Sequence, residues 1–448
     1  MKKNSGFIND NSTVQISFSK ILMIVGICLL LCNNVLFAQE RTPMEEFVNG
    51  FPEELAKKTL NVDLSVLLSG GDEAVYFSRR TSELLPTAIL PVRQAEMQMK
   101  VNLMPKIGNI TAETNTFGTL SLDKFLAQPK SYSEAFIVIH KGEIVYEKYP
   151  RMRPEDHHVW MSNAKPTASL IIDLLIEEGK IDETKTMGDY VPEFVGTPTA
   201  KIRVKDVMDM TTGLNTDETP ESRAVPNSIA TRTFLAEFGL PFNGKVENLL
   251  DVLKEAEPIH APGDVFQYAS ATTQLLVYLA EAVEGKRWSV IFDERVWSKV
   301  GAEGPLQLHT TPDGIVAAHG LISSSLRDLA RFAMLYTPSW NKIATEQVVS
   351  DAIIKGIQTG VRSSEYYSKS YHAPMFAKNF NDNTAISNSR QWDMIWPDGD
   401  FWKGGMLSQG IYVSNNRDLV IAYFSTNGPD RSIDRFMRPI ATSGLFDK

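Results

Sequence analysis

Apolar and polar positions divide this chain unevenly. Lys2, Lys3 and Lys20 precede an apolar run from Ile21 to Leu31, and Val35-Leu36-Phe37-Ala38 then leads into Gln39-Glu40. A basic start, an apolar middle and a small residue before a polar stretch predict a secretory signal peptide over 1–38. A membrane anchor is the alternative, although roughly 18 residues is short for a span. Over 39–130 short helical and polar stretches alternate, broken at Gly70-Gly71, Pro86 and Pro91. This is an N-terminal extension of undefined role.

The pattern sharpens from Ala135. Phe136-Ile137-Val138-Ile139 and Glu143-Ile144-Val145-Tyr146 flank His140-Lys141-Gly142, which predicts a hairpin. A second hairpin pairs Gly410–Val413 with Leu419–Tyr423 across Asn415–Asp418, and Ser432–Phe446 predicts a terminal helix. Between the hairpins the pattern is mostly helical. The clearest helix spans Ser162 to Glu178: Ser169, Asp173 and Glu177 form one polar stripe, and the remaining positions are mostly apolar. One narrow polar stripe predicts a buried central helix, with Gly179 as its stop. Strands at both ends and helices between predict an α+β domain over 131–448. Its antiparallel sheet is assembled from distant segments and flanked by helices, with a mostly helical lobe inserted at roughly 200–310.

Composition adds limits. The 448 residues are 43% hydrophobic and 22% charged, with a formal net charge of -9, which argues against a nucleic-acid partner. Cys28 and Cys32 are the two cysteines. Cleavage after Ala38 would remove both, leaving no disulfide and no cysteine nucleophile. Such a protein is expected to be secreted or periplasmic and free of the membrane. No histidine spacing resembles a zinc site, and His157-His158 read as part of the loop before the helix. Nothing implies a cofactor.

The chemistry lies in Ser-x-x-Lys. It occurs four times, at Ser17, Ser121, Ser162 and Ser339. Ser17 falls in the presumed signal peptide, Ser339 follows Pro338 in a turn-like stretch, and Ser121 opens an amphipathic segment. Ser162 alone opens a buried helix, where free N–H groups and the helix dipole favour developing negative charge. An i, i+3 spacing puts the Lys165 amine beside the Ser162 hydroxyl, so that a serine is activated without histidine. A helix-capping serine followed by a surface lysine is the structural alternative. Pro166 inside the early helix stands against the pattern, because it removes an N–H.

Trp160-x-Ser162-x-x-Lys165 and Leu174–Ile181 resemble the penicillin-recognising serine hydrolases. Asp189–Glu193, Val207–Leu214, Ala261-Pro262-Gly263 with Phe266-x-Tyr268-Ala269-Ser270, and Ser324-x-x-Arg327–Phe332 follow in family order. The likeness is to the class C β-lactamase-like branch, which includes esterases and 6-aminohexanoate-dimer hydrolases, and it covers roughly 130–448. It implies a β-lactamase/transpeptidase-like fold with Ser162, Lys165 and Tyr268 catalytic. Tyr268 would shuttle a proton, its pKa lowered by the ammonium. Tyr423-Phe424-Ser425 shares the Tyr-x-Ser pattern but reads as core.

Two departures bear on substrate. Ser270 stands where the family has Asn, and a hydroxyl cannot offer a carboxamide's donor and acceptor together. Lys403-Gly404-Gly405 is a loose version of the family's Lys-Thr-Gly edge strand. There Lys403 either binds a substrate carboxylate or is a solvated strand-end lysine. Gly404 and Gly405 would let substrate approach, and the second oxyanion donor falls at Met406, Leu407 or Ser408. The expected activity is acyl-enzyme hydrolysis of a small-molecule ester or linear amide. A β-lactamase or D-alanyl-D-alanine carboxypeptidase is a second reading, and a catalytically silent penicillin-binding-like protein is a third. A Ser-His-Asp hydrolase would need a Gly-x-Ser-x-Gly elbow, and none is present.

Overall fold

The computed structural model describes residues 50–60, 70–93, 97–360, 362, 364–428 and 430–447. The expected signal peptide, with Ser17, lies outside the described residues. Among those described, no helix is long and apolar enough to cross a membrane.

Seven antiparallel strands form the main sheet: β1 (Ser133–His140), β2 (Glu143–Lys148), β3 (Ser387–Ser389), β4 (Trp392–Ile395), β5 (Phe401–Gly405), β6 (Gln409–Ser414) and β7 (Leu419–Ser425). Their spatial order is β3-β4-β5-β6-β7-β1-β2. Both predicted hairpins are present. Lys141 and Gly142 turn between β1 and β2 with φ of 50° and 77°, the left-handed pair that suits a two-residue hairpin. Val420 of β7 lies opposite Ile139 of β1, joining segments from opposite ends of the domain.

Each face of this sheet is covered. Ile137, Ile139, Ile411, Val413 and Val420 enter one buried cluster together with the central helices. Phe136, Val138, Tyr412, Ile421 and Tyr423 enter the other, with Phe125, Phe436 and Ile440. Burial on both faces is why these strands read as continuous apolar runs instead of alternating. The terminal segment is shorter than predicted: a 3-10 turn over Ser432–Phe436 and an α-helix over Met437–Ala441.

Four helices frame the site: α1 (Asp72–Arg80), α2 (Lys165–Glu177), α3 (Ser270–Glu284) and α4 (Leu326–Met334). The helix predicted from Ser162 begins instead as a 3-10 turn over Met161–Ala164 and becomes α-helical at Lys165. Pro166 explains the change. It occupies the second position of α2, where a missing N–H breaks no helical bond. Two of the three residues in the polar stripe of α2 are buried, and only Glu177 is exposed. Ser169 Oγ donates to the Arg390 carbonyl at 2.7 Å, and Asp173 pairs with the Arg390 guanidinium.

The inserted lobe carries helices Val204–Met208, Ile229–Glu237, Leu249–Lys254, α3 and Trp288–Arg295. A second sheet orders Thr87–Leu90, Leu306–His309, Ile322–Ser324 and His158–Val159. His158 is therefore a strand residue and not part of a loop. It is fully buried, with its ring stacked on Phe424 at 4.4 Å.

Candidate active site

The approach to Ser162 is fixed from both sides. Trp160 N donates to the Ile322 carbonyl at 2.7 Å, and its indole Nε1 donates to Ser324 Oγ at 2.9 Å. Met161 then adopts φ 49°, a left-handed conformation uncommon for a side chain of its size. In the 3-10 turn that follows, three residues make one revolution, so Ser162 and Lys165 stand in line.

Lys165 is fully buried. Its Nζ donates to Ser270 Oγ at 2.9 Å and to the His319 carbonyl at 2.9 Å. Burial lowers its pKa to about 7; the nearby Lys403 charge adds to this, and Glu218 opposes it. Half of such a group is neutral near pH 7 and able to accept a proton.

Lys165 Nζ and Lys403 Nζ lie 5.2 Å and 4.5 Å from the centroid of the Tyr268 ring. The His372 ring lies 5.0 Å from it. Its pKa is nevertheless raised well above that of a free phenol, which overturns the expected lowering. Burial is the main cause and the Asp393 and Glu218 carboxylates add to it; a hydrogen bond from Ser162 pulls the other way. Tyr268 is thus a neutral phenol in contact with the Ser162 hydroxyl.

Glu218 is the site residue that sequence reasoning missed. Its Oε1 accepts the Ser270 backbone N–H at 2.6 Å, and Oε2 pairs with Arg223 at 2.5 Å. Burial alone would raise its carboxyl, but Arg223, Lys165 and two hydrogen bonds from Ser270 hold it below the usual range. Lys165, Ser270 and Glu218 therefore form one chain of hydrogen bonds. Glu218 follows Thr211-Thr212-Gly213-Leu214 by four residues. Gly213 has φ 72° and lies against the His260 carbonyl, where an added Cβ would sit 2.3 Å from the oxygen. That close turn brings the Glu218 loop to the segment carrying Tyr268.

The third segment differs from expectation in three ways. First, β5 is an interior strand, with β4 on one side and β6 on the other. Second, Lys403 is neither solvated nor free for a substrate carboxylate. It is fully buried and ion-paired to Asp393, whose Oδ2 also accepts the Gly404 N–H at 3.2 Å. Third, the Ser408 side chain is engaged by the loop after β7. Its Oγ donates to the Asn427 carbonyl at 2.9 Å and the Asp430 carbonyl at 3.0 Å.

Gly405 does meet the Ser162 backbone. A Cβ there would sit 3.0 Å from the Trp160 carbonyl and 3.3 Å from Ser162 N, so only glycine lets the strand approach this closely. The turn after it carries Met406, then Leu407 and Ser408 at φ 62° and 64°. Arg431 secures the turn from behind, donating to the Gly405 carbonyl at 2.8 Å while pairing with Asp434 at 2.6 Å. The other serines are accounted for locally. Ser121 caps a short helix, Ser339 bonds Asp418, and Tyr423 is core, bonded to Asp434 at 2.5 Å. A surface cleft of about 400 Å³ lined by Leu90, Arg93, Val290 and Asp293 contains none of the site residues.

An antiparallel sheet between helical layers, with Ser-x-x-Lys at the foot of a buried helix and an inserted helical lobe, defines a β-lactamase/transpeptidase-like fold. Residues 122–441 match the family model named Beta-lactamase, and the chain belongs to that family. Over 261 residues it is 27% identical to the 6-aminohexanoate-dimer hydrolase of Paenarthrobacter ureafaciens, covering 56% of this chain and 62% of that protein. It therefore spans under two thirds of that relative's length. A Bacillus anthracis protein carrying the provisional name 6-aminohexanoate-dimer hydrolase has a similar structure. The TM-score is 0.66 at 23% identity, over 83% of this chain and 93% of that one. EstCE1, a hydrolase with promiscuous acyltransferase activity, gives 0.53 at 14% identity, over 72% and 98% of the two chains.

Proposed function

We propose that this protein is a serine hydrolase that cleaves an ester or linear amide through an acyl-enzyme. The observation that carries the reading is the state of Lys165: fully buried, drawn to a pKa of about 7, and in line with a serine that hydrogen-bonds a neutral tyrosine. Ser162 attacks the carbonyl while its proton passes to neutral Lys165, directly or across Tyr268. The oxyanion forms against the Ser162 amide and a second amide from the β5–β6 turn. Met406 is the first residue of the turn after Gly405, the residue that packs against the Ser162 amide. Met406 is taken as the second donor in this reading. Tyr268 gives its phenolic proton to the leaving group and recovers one from the Lys165 ammonium. Water then releases the acyl group by the reverse path.

Two features favour neutral esters or linear amides over β-lactams. Ser270 is occupied by Lys165 and Glu218, and the Lys403 charge is already met by Asp393. The homology to a 6-aminohexanoate-dimer hydrolase supports the same choice. A fluorophosphonate probe with peptide mapping tests the nucleophile: label at Ser162 is expected, and label elsewhere or none overturns it. Turnover of short p-nitrophenyl esters and linear amide dimers, without nitrocefin or D-Ala-D-Ala peptides, is the expected substrate pattern. We further propose that the mature protein works outside the cytoplasm, on the strength of the basic and apolar pattern of residues 1–38. A mature N-terminus at Gln39 in the secreted fraction is the expected result.

A further inference from the structure

Helix α1 and the strand after it precede the span that matches the family model, yet they pack next to the nucleophile. Ala74 and Phe77 of α1 share a buried cluster with Met161, Val159, Ala317, Leu321 and Leu407, flanked by Met406, Leu84 and Leu85. Two of these are unusual. Met161 immediately precedes Ser162 at φ 49°, and Leu407 immediately follows Met406 at φ 62°. Non-glycine residues stay in such conformations only where their surroundings over-determine them. These two flank the pair of amides that would hold an oxyanion, and their side chains enter one cluster closed by α1.

The segment is anchored to the rest of the molecule. Arg79 forms an ion pair with Asp156. Thr87 Oγ1 bonds His309 Nδ1 at 2.8 Å, and Thr87–Leu90 pairs in register with Leu306–His309.

We propose that residues 72–90 clamp the oxyanion hole, with Phe77 as the positioning residue. By filling the space behind Met161 and Leu407, it fixes the separation of the Ser162 and Met406 amides. The clamp rests on the hydrolase reading above, because it acts on the hole that reading requires.

The test uses the full chain with Phe77→Ala, Phe77→Leu and Arg79→Ala, and rates are expressed per site titrated with fluorophosphonate. Phe77→Ala is expected to lower kcat on a p-nitrophenyl ester about 10- to 100-fold, since small displacements of such donors are costly. KM should stay within about threefold, as expected for an interaction made only in the transition state. Affinity for an alkyl boronate, which mimics the tetrahedral state, should fall with kcat, and Phe77→Leu should restore most of both. A lower melting temperature with unchanged kcat per titrated site would mean that α1 only stabilises the fold, and would overturn the clamp. If Phe77→Ala does not fold, Arg79→Ala decides: a several-fold fall in kcat supports the clamp, and an unchanged kcat overturns it. Absence of both turnover and Ser162 labelling in the unsubstituted protein would refute the hydrolase reading and the clamp with it. Full activity in Phe77→Ala would refute the clamp alone.

Discussion

Replacing Glu218 with Gln should move the pH dependence of catalysis without dismantling the site. Gln is nearly isosteric, and its carbonyl can still accept the Ser270 N–H. What disappears is a negative charge. Lys165 Nζ lies 2.9 Å from Ser270 Oγ, and Ser270 bonds onward to Glu218, so the two charges are roughly 5 Å apart. At an effective dielectric near 20 that separation is worth about 3 kcal/mol, or about two pH units. Arg223 is present in both forms and cancels from the difference, so the expected shift is at most about two units. The sign follows from the roles. Lys165 must be neutral to accept the Ser162 proton, and Glu218 now favours its charged form. Without that carboxylate the pKa falls below its present value of about 7, and the acid limb of kcat/KM moves to lower pH. The assay is a profile from pH 5 to 9 on a p-nitrophenyl ester, with active sites titrated at each point. An acid limb that stays in place or moves to higher pH would refute the argument that Lys165 is the base under Glu218 control.

Other substitutions probe the same network. Ser270→Ala removes an acceptor from a buried amine, so kcat should fall about 10- to 100-fold with the fold intact, as read by circular dichroism and steady-state kinetics. Asp393→Asn leaves Lys403 buried without its counter-charge. Unfolding in urea should report a loss of about 3 kcal/mol or more, and an unchanged midpoint would contradict the pairing. Lys165→Met should cut turnover about 1,000-fold without lowering the melting temperature at pH 6. The folded-state pKa of Lys165 is depressed, so burial of its charged form counts against folding below about pH 7. That penalty fades as pH rises toward the unfolded value, and a marked loss of stability in this variant at pH 6 would contradict the sign.

The sequence exposed the strands and singled out Ser162 as the candidate nucleophile because both leave local marks. Runs such as Phe136–Ile139 and Leu419–Tyr423 cannot be solvated, and Ser162 was separated from Ser17, Ser121 and Ser339 by the apolar helix behind it. What stayed hidden depends on pairing between distant segments. Lys403 looks like an ordinary strand-end lysine until β4 places Asp393 beside it. Glu218 sits in a polar loop that resembles any other until Gly213 turns it toward Ser270. The direction of the Tyr268 shift was misjudged because its main cause is burial, which no local pattern marks, with the Asp393 and Glu218 carboxylates adding to it. The start of α2 was misplaced by three residues, although Pro166 marks the true first turn.

The pairing of β1 with β7 also bears on how the molecule comes into being. The first strand of the main sheet pairs locally with β2 but finds its other neighbour only beyond the whole helical lobe. Ladders between such distant segments close late and slowly. Gly405, which presses on the Ser162 amide, lies on the same late-arriving half of the sheet. A chain without β5 to β7 would therefore carry Ser162 and Lys165 with no Gly405 strand against them. On the proposed reading, the hydrolytic site is complete only once the two halves of the sheet have closed on each other.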